Sequence, residues 1–441
     1  MHSIELDQLK KLATGTLDKL VTPDGIYASS AMGMEGLFHG FFGRDTAITA
    51  YLISQAEHLE QTNFFLWKAA QGLMKLKNFQ SKDDNPEIGA EKGKFPHEIR
   101  LNKEDYQHLT TDLVKRGERS WYVDPEDKVM KNWDANDATQ LWIIVICRMH
   151  EKGMVEIDNE LKQAIKDGLL WCIRNLRQYH GFTGYKYNPH RPWNGCHNQT
   201  WKDSGGAYLL DDGSLAKQPI KDVFGSSLTW AALKYGEKLF AKTDLYFAKQ
   251  LNEERNGLKS RFNSMLNGFL MYDERSEYYL ADALDADNKQ IMGISCDPGL
   301  ALWAYCDGES IIEDKYILHI VNRLMMSDIF DKDAGIRTYS CEGNIYDPVG
   351  YHRSQHNFWP FVSALIADAF NHFGYKQQSA DILQGMVKAV KQFNSCVELF
   401  VKKDNTYERF KHPYDNQLSC VDQAWTAGAL YYATNYLKTH V

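Results

Sequence analysis

Residues 159–181 read NELKQAIKDGLLWCIRNLRQYHG, with Leu161, Ile165, Leu169, Cys172, Ile173 and Leu176 recurring every three or four positions before the run stops at Gly181. That spacing gathers the apolar side chains on one helix face and ends the helix on a residue that tolerates a left-handed turn. NDATQLWIIVICRMHEKG, FWPFVSALIADAFNHFG, QQSADILQGMVKAVKQF and CVDQAWTAGALYYATNYL repeat the pattern. Only short alternating pieces, EYYLADALD and GIRTYS, read as small hairpins, and nothing supports a βαβ series or a β-sandwich. Long stretches rich in Gly, Pro, Asn, Asp and Trp separate the helices at 83–100, 183–218 and 334–360; loops of that length inside a compact domain are usually functional. Short turns alternating with long loops predict an all-α chain of helical hairpins with the long loops at one end, and twelve such helices would close an α/α toroid. No linker composition or charge run divides the chain, so residues 1–441 are expected to form a single domain.

Composition narrows the partners. A net charge of -8 with no long Lys/Arg run argues against a nucleic-acid partner, which needs a concentrated basic face. The amino-terminal run MHSIELDQLKKLATGTL lacks the apolar core of a signal peptide, and no later run is apolar enough for a membrane span, so neither export nor a membrane partner is expected. The eight Cys residues form no CxxC pair and no zinc spacing; they read as reduced, mostly buried thiols, which fits a cytoplasmic protein. Nothing signals a cofactor: there is no phosphate loop after a strand and no calcium-loop carboxylate spacing. Aromatics reach 13%, enough either for an unusually aromatic core or for platforms that stack sugar rings.

The polar loops carry seven segments in a fixed order: FHGFFGRDTAIT (38–49), EKGKFPHEIR (91–100), NWDANDATQLW (132–142), NQTWKDSGGAY (198–208), GYHRSQHNFWPF (350–361), SCVELF (395–400) and CVDQAWTAGA (420–429). In order and residue type they resemble the amylo-α-1,6-glucosidase domain of glycogen debranching enzymes and its bacterial relatives, a branch of the (α/α)6-barrel glycoside hydrolases. The resemblance spans about residues 25–435 and implies a small-molecule carbohydrate substrate.

Glycosidic cleavage needs one carboxylic acid to protonate the leaving oxygen and a second carboxylate to activate water or attack. Asp203 follows Trp201 and Lys202 in a loop opening onto Gly205-Gly206, where an aromatic wall would raise its pKa and an inward Lys202 would lower it. From the residues alone it could equally cap the Ser204-Gly-Gly turn. Glu398 is an isolated acid among apolar neighbours, either held there by function or facing solvent at a strand edge or helix start. The resemblance implies that Asp203 is the general acid and Glu398 the general base of an inverting α-glucosidase, with carboxyl groups about 6.5–9.5 Å apart. It further implies that Arg44 and Asp45 grip the terminal glucose, although a buried Arg-Asp ion pair fits the same residues. Phe41, Phe42, Trp201, Trp359 and Trp425 are candidate ring platforms or core, and His97, Glu98, Lys202, Tyr351, His352 and Gln423 complete the candidate sugar-binding set.

Three departures matter. Thr200 stands where relatives usually carry Gly before Trp-Lys-Asp, Asp422 stands where they carry Pro before Gln-Ala-Trp, and the segment after Tyr351-His352 is longer and more basic. The chain starts almost at the barrel, without the accessory domains of branched-glucan enzymes, so a small soluble α-glucoside is expected, with Arg353 or His356 offering a site for an anionic leaving group. An inverting phosphorylase, a sugar epimerase or isomerase using His97 or His352, and a non-catalytic sugar-binding protein are the alternatives.

Overall fold

Asp158 starts the helix at 159 by accepting the backbone N–H of Leu161 at 2.7 Å, and Gly181, with φ +88°, ends it by donating to the Leu176 carbonyl. A computed structural model of the chain describes residues 3–30, 38–56, 60–101, 123–124, 126–191, 195–343, 347, 350–413 and 416–440. Parts of the 183–218 and 334–360 loops, and Met1 and His2 of the amino-terminal run, lie outside these residues.

Twelve α-helices occur among the described residues: α1 Ser3–Leu20, α2 Gly43–Ser54, α3 Glu60–Asn78, α4 Ala138–Glu151, α5 Asn159–Gln178, α6 Val223–Phe240, α7 Leu245–Phe262, α8 Asp297–Trp303, α9 Asp314–Leu324, α10 Pro360–His372, α11 Lys376–Lys391 and α12 Ala424–His440. The even-numbered helices are buried nearly all round; every residue of α2 and of α8 is buried. The odd-numbered ones bury a single face, as α5 and α9 do. A helix apolar on all sides needs cover on all sides, whereas an amphipathic one can face water. The contacts follow that rule. α2 packs on α4, α4 on α6, α6 on α8, α8 on α10, α10 on α12, and α12 returns to α2, while each odd-numbered helix lies against this closed ring.

Every long segment, 21–42, 79–137, 179–222, 263–296, 325–359 and 392–423, leads into the amino-terminal end of a ring helix. The segments carry more β-structure than the sequence patterns reveal. Phe41–Phe42 pairs with Glu98–Arg100, which pairs with Met130–Asn132; Asn357–Phe358 pairs with Phe400–Lys403; and a four-stranded sheet links Gly184–Tyr185, Ile220–Asp222, Ala283–Leu284 and Gln290–Ile291. EYYLADALD does pair, its first four residues with Leu270–Asp273. One apolar cluster runs from Leu6 to Leu437, and Trp142, Trp171, Trp201, Trp230, Trp303 and Trp359 are all fully enclosed. Much of the aromatic excess is therefore core, each ring contributing roughly 4–6 kcal/mol of burial before its ordering entropy is subtracted. Six of the eight cysteines are buried, and no disulfide occurs among the described residues. No described helix is long and apolar enough to cross a membrane.

Candidate active site

The first turn of α2 places Arg44 and Asp45 at the loop end of the ring. Gly43 permits this approach: a Cβ there would lie 2.4 Å from the Pro96 carbonyl oxygen and 2.9 Å from the Ala138 side chain. Its N–H binds the His97 carbonyl at 2.8 Å, fixing the 91–100 loop to the helix start. Arg44 is buried and does not pair with Asp45. Its Nε donates to Asp137 Oδ2 at 2.8 Å, its Nη2 to Asp137 Oδ1 at 3.3 Å and to the Thr200 carbonyl at 2.7 Å, and its Nη1 faces Asp203 Oδ2 at 3.5 Å. Asp137 occupies the N-cap position of α4 but makes no side-chain capping bond there; its carboxylate holds Arg44 instead. A fork with four of its five N–H directions engaged positions the 198–208 loop rather than reaching freely for a ligand.

Asp203 and Lys202 turn to opposite sides of that loop. Lys202 is fully buried, with Nζ 2.5 Å from Asp282, 2.8 Å from Asp297 and 3.0 Å from the Tyr339 hydroxyl. Trp201 donates its indole N–H to Asp297 at 3.0 Å and sets its ring edge-on to His352, Trp359 and Phe361. Trp201 and Lys202 thus brace the loop from inside; neither presents a face to the surface of the site. Asp203 leans outward, its side chain 32% exposed, and caps no turn; its carboxylate faces Arg44 and, at 3.9 Å, His352 Nε2. Ser204 N–H donates to His352 Nδ1 at 3.3 Å, which leaves the imidazole proton on Nε2, toward Asp203. Desolvation pushes the Asp203 pKa up to about 6 against the opposing pull of Arg44. His352 stacks on Trp359 and is held neutral by burial, then by Arg44 and Lys202.

Glu398, in the 392–423 segment, is 3% exposed rather than solvent-facing. The Tyr351 hydroxyl donates to its Oε1 and the Cys420 N–H to its Oε2 at 3.1 Å. Burial raises its pKa to about 7 despite those bonds, and the charge of Asp203 pushes the same way. Asp45 is the third carboxyl here. It accepts Gln423 Nε2 at 3.0 Å and is driven up to about 8, first by desolvation and then, against Arg44, by Glu398 and Asp203.

Phe42 and His97 meet edge to face beside this cluster, and His97 is kept neutral by burial. Glu98 is buried and accepts Arg100 Nε at 2.6 Å. Trp425 opens α12 and stacks on Phe361. Four buried polar atoms of the candidate set, His97 Nδ1, Gln423 Oε1, Trp359 Nε1 and Trp425 Nε1, have no hydrogen-bond partner among the described residues. Such atoms are rare in protein interiors, and a polar ligand is one way to satisfy them. Asp137, Asp282, Asp297, Tyr339 and Cys420 are the participants that sequence reading overlooks; of these Asp137 and Asp297 carry a local signal, an acid at the start of an apolar helical run. Two cavities flank the carboxyl groups without containing them: one of about 420 Å³ against Asn136, Tyr185 and Gln199, and one of about 190 Å³ against Tyr339 and Arg353. His356 does not line either.

No protein-family model matches the sequence, and no curated protein is significantly similar to it. Solved structures do share its fold. The GH63 mannosylglycerate hydrolase of Thermus thermophilus, crystallised with Tris, superposes with a TM-score of 0.58 at 12% identity over 96% of this chain and 99% of that one. A glycosidase variant in complex with glucose gives 0.58 at 11% identity, and a wild-type glycosidase gives 0.57 at 12%, each covering 99% of both chains. These neighbours are helical glycosidases, and the likeness establishes the fold that this chain shares with them.

Proposed function

We propose that this chain is a single-domain (α/α)6-barrel glycoside hydrolase that cleaves a small soluble α-glucoside with inversion, Asp203 acting as general acid and Glu398 as general base. The observation that carries the reading is the convergence of two carboxyl groups from distant segments, both raised toward neutrality, at the loop end of a closed helical ring. Pairs of acids with shifted pKa values divide the work of glycosidic cleavage. The fold-sharing proteins include a mannosylglycerate hydrolase and a glycosidase that binds glucose, which supports a sugar ligand.

In the free protein burial raises both carboxyls, Asp203 to about 6 and Glu398 to about 7. A bound sugar raises Asp203 further. It covers Asp203, whose side chain is 32% exposed, whereas Glu398, at 3%, has little water left to lose. Asp203 then holds the proton and delivers it to the glycosidic oxygen as the bond to the anomeric carbon breaks. Glu398, oriented by Tyr351 and Cys420, takes a proton from the water that attacks the opposite face. Asp45, protonated below about 8, donates to a sugar hydroxyl, and the unpartnered atoms of His97, Gln423, Trp359 and Trp425 serve others.

Proton NMR of a panel of α-glucosides and α-mannosides tests the reading, with Asp203→Asn and Glu398→Gln as controls. Initial release of the β-anomer by the parent protein and silence of both variants is the expected result. Retention of configuration, phosphate-dependent turnover, or variants as active as the parent would overturn it.

A further inference from the structure

Beside the acid loop lies the cavity of about 190 Å³, and three arginines reach it. Two are neutralised within the protein. Arg275 pairs with Asp328 at 3.1 Å and Glu342 at 2.8 Å, and Arg323 with Asp328 at 2.8 Å and Asp273 at 3.3 Å. Arg353 is different. It is 5% exposed and has no carboxylate partner among the described residues. Its guanidinium lies 4.8 Å above the Tyr339 ring, and among the described residues its Nη1 makes only a long contact of 3.4 Å to the Ala207 carbonyl and its Nε has no partner. A buried guanidinium without a counter-charge is costly, and arginine's fork is the geometry that receives a carboxylate or phosphate. Across the cavity stands Gly293, where a Cβ would meet the Tyr339 ring at 3.1 Å and Arg353 Nη2 at 3.9 Å, so the glycine keeps the space in front of the fork open. The acids on the lining do not fill Arg353's role: Glu342 is engaged by Arg275, and Asp211 sits exposed to solvent.

We infer that this cavity binds a carboxylate or phosphate group of a small ligand, with Arg353 as its principal anchor. The site is built into the acid loop. Ala207, whose carbonyl Arg353 touches, closes the turn that begins at Ser204, next to Asp203, and the Tyr339 hydroxyl contacts both that carbonyl and Lys202. His352, which faces Asp203, directly precedes Arg353 in the chain. Two sources could supply the anion: the leaving group of the glycoside, which deepens and rests on the hydrolase reading above, or a separate small metabolite seated next to the acid loop.

Calorimetric titration with inorganic phosphate and with acetate decides the binding claim without reference to catalysis. Saturable binding of at least one anion to the parent protein is expected, weakened about tenfold or more in Arg353→Gln, the scale of one charge-assisted hydrogen bond, and partly kept in Arg353→Lys. Gly293→Ala narrows the cavity while removing no hydrogen bond, and it should weaken the same anion even if Arg353→Gln folds poorly, which circular dichroism checks. No binding to the parent, or equal binding to the parent and the folded variants, overturns the inference. A second arm distinguishes the sources by comparing turnover of 4-nitrophenyl and 4-carboxyphenyl α-glucosides. A preference for the carboxylate that disappears in Arg353→Gln assigns the anion to the leaving group. Anion binding lost in Arg353→Gln without any such preference assigns it to a separate ligand. If neither glycoside is cleaved, the hydrolase reading fails while the titration still decides this one.

Discussion

Lys202 and Asp203 are neighbours in sequence, yet they belong to regions built on opposite principles. On the Lys202 side a cation, two carboxylates and a phenol close on one another, with the three charged groups fully out of water. On the Asp203 side three carboxyls share a space with one largely engaged arginine, two neutral imidazoles and several polar atoms that meet no protein partner. Buried charge on the first side is satisfied internally, and its role is to hold the loop. On the second several buried polar atoms have no partner among the described residues, which folding alone would not favour and which a ligand can relieve.

The sharpest way to break this contrast is to neutralise each side in turn. Asp203→Asn and Glu398→Gln should each lower kcat by about a thousandfold, within the usual range for losing a general acid or base, with little change in melting temperature. Lys202→Met should do the reverse. Leaving Asp282 and Asp297 buried without their cation should cost about 3–5 kcal/mol, read in denaturant unfolding, while the pH dependence of whatever activity survives stays that of the parent. Stability losses from Asp203→Asn as large as those from Lys202→Met would erase the distinction between the regions.

How far the sequence anticipates this arrangement follows from what kind of signal each part leaves. Helical periodicity is local, so the helices and the alternation of short turns with long loops are legible, and the seven loop segments give the order in which side chains reach the loop end. Strands of two or three residues, such as Phe41–Phe42 or Gly184–Tyr185, are too short for alternation to register, so the sheets that tie the loops together go unseen. Side-chain direction is also invisible. Lys202 reads as a charge beside the acid, but its counter-ions Asp282 and Asp297 are far along the chain and draw it to the other side. Trp201 reads as either a platform or core, and it folds as a brace for the same reason.

Arg44 sits on the boundary between the two sides and predicts an intermediate effect. Arg44→Lys keeps a positive charge but loses the fork shared by Asp137 and Thr200, so Asp203 should sit less well placed and kcat should fall about tenfold. Arg44 holds the Asp203 pKa down, so its weakening raises that pKa. The acid must carry its proton, and the alkaline limb of the kcat profile should therefore move to higher pH.

The smallest effect should come from a pair of phenols. Tyr339 gives its hydroxyl to Asp282 in the closed cluster, and Tyr351 gives its hydroxyl to Glu398 in the open one. Tyr339→Phe should therefore lower stability and leave the pH profile in place. Tyr351→Phe removes a donor that favours ionised Glu398, so the Glu398 pKa should rise above its parent value of about 7. Because the base must be deprotonated, the acidic limb of kcat should shift upward, costing a few-fold at pH 7, while the alkaline limb set by Asp203 stays where it is in the parent. An acidic limb unmoved by Tyr351→Phe would mean that the titrating base is not Glu398, and the open side would need a different carboxyl, Asp45 being the one in contact with the same field.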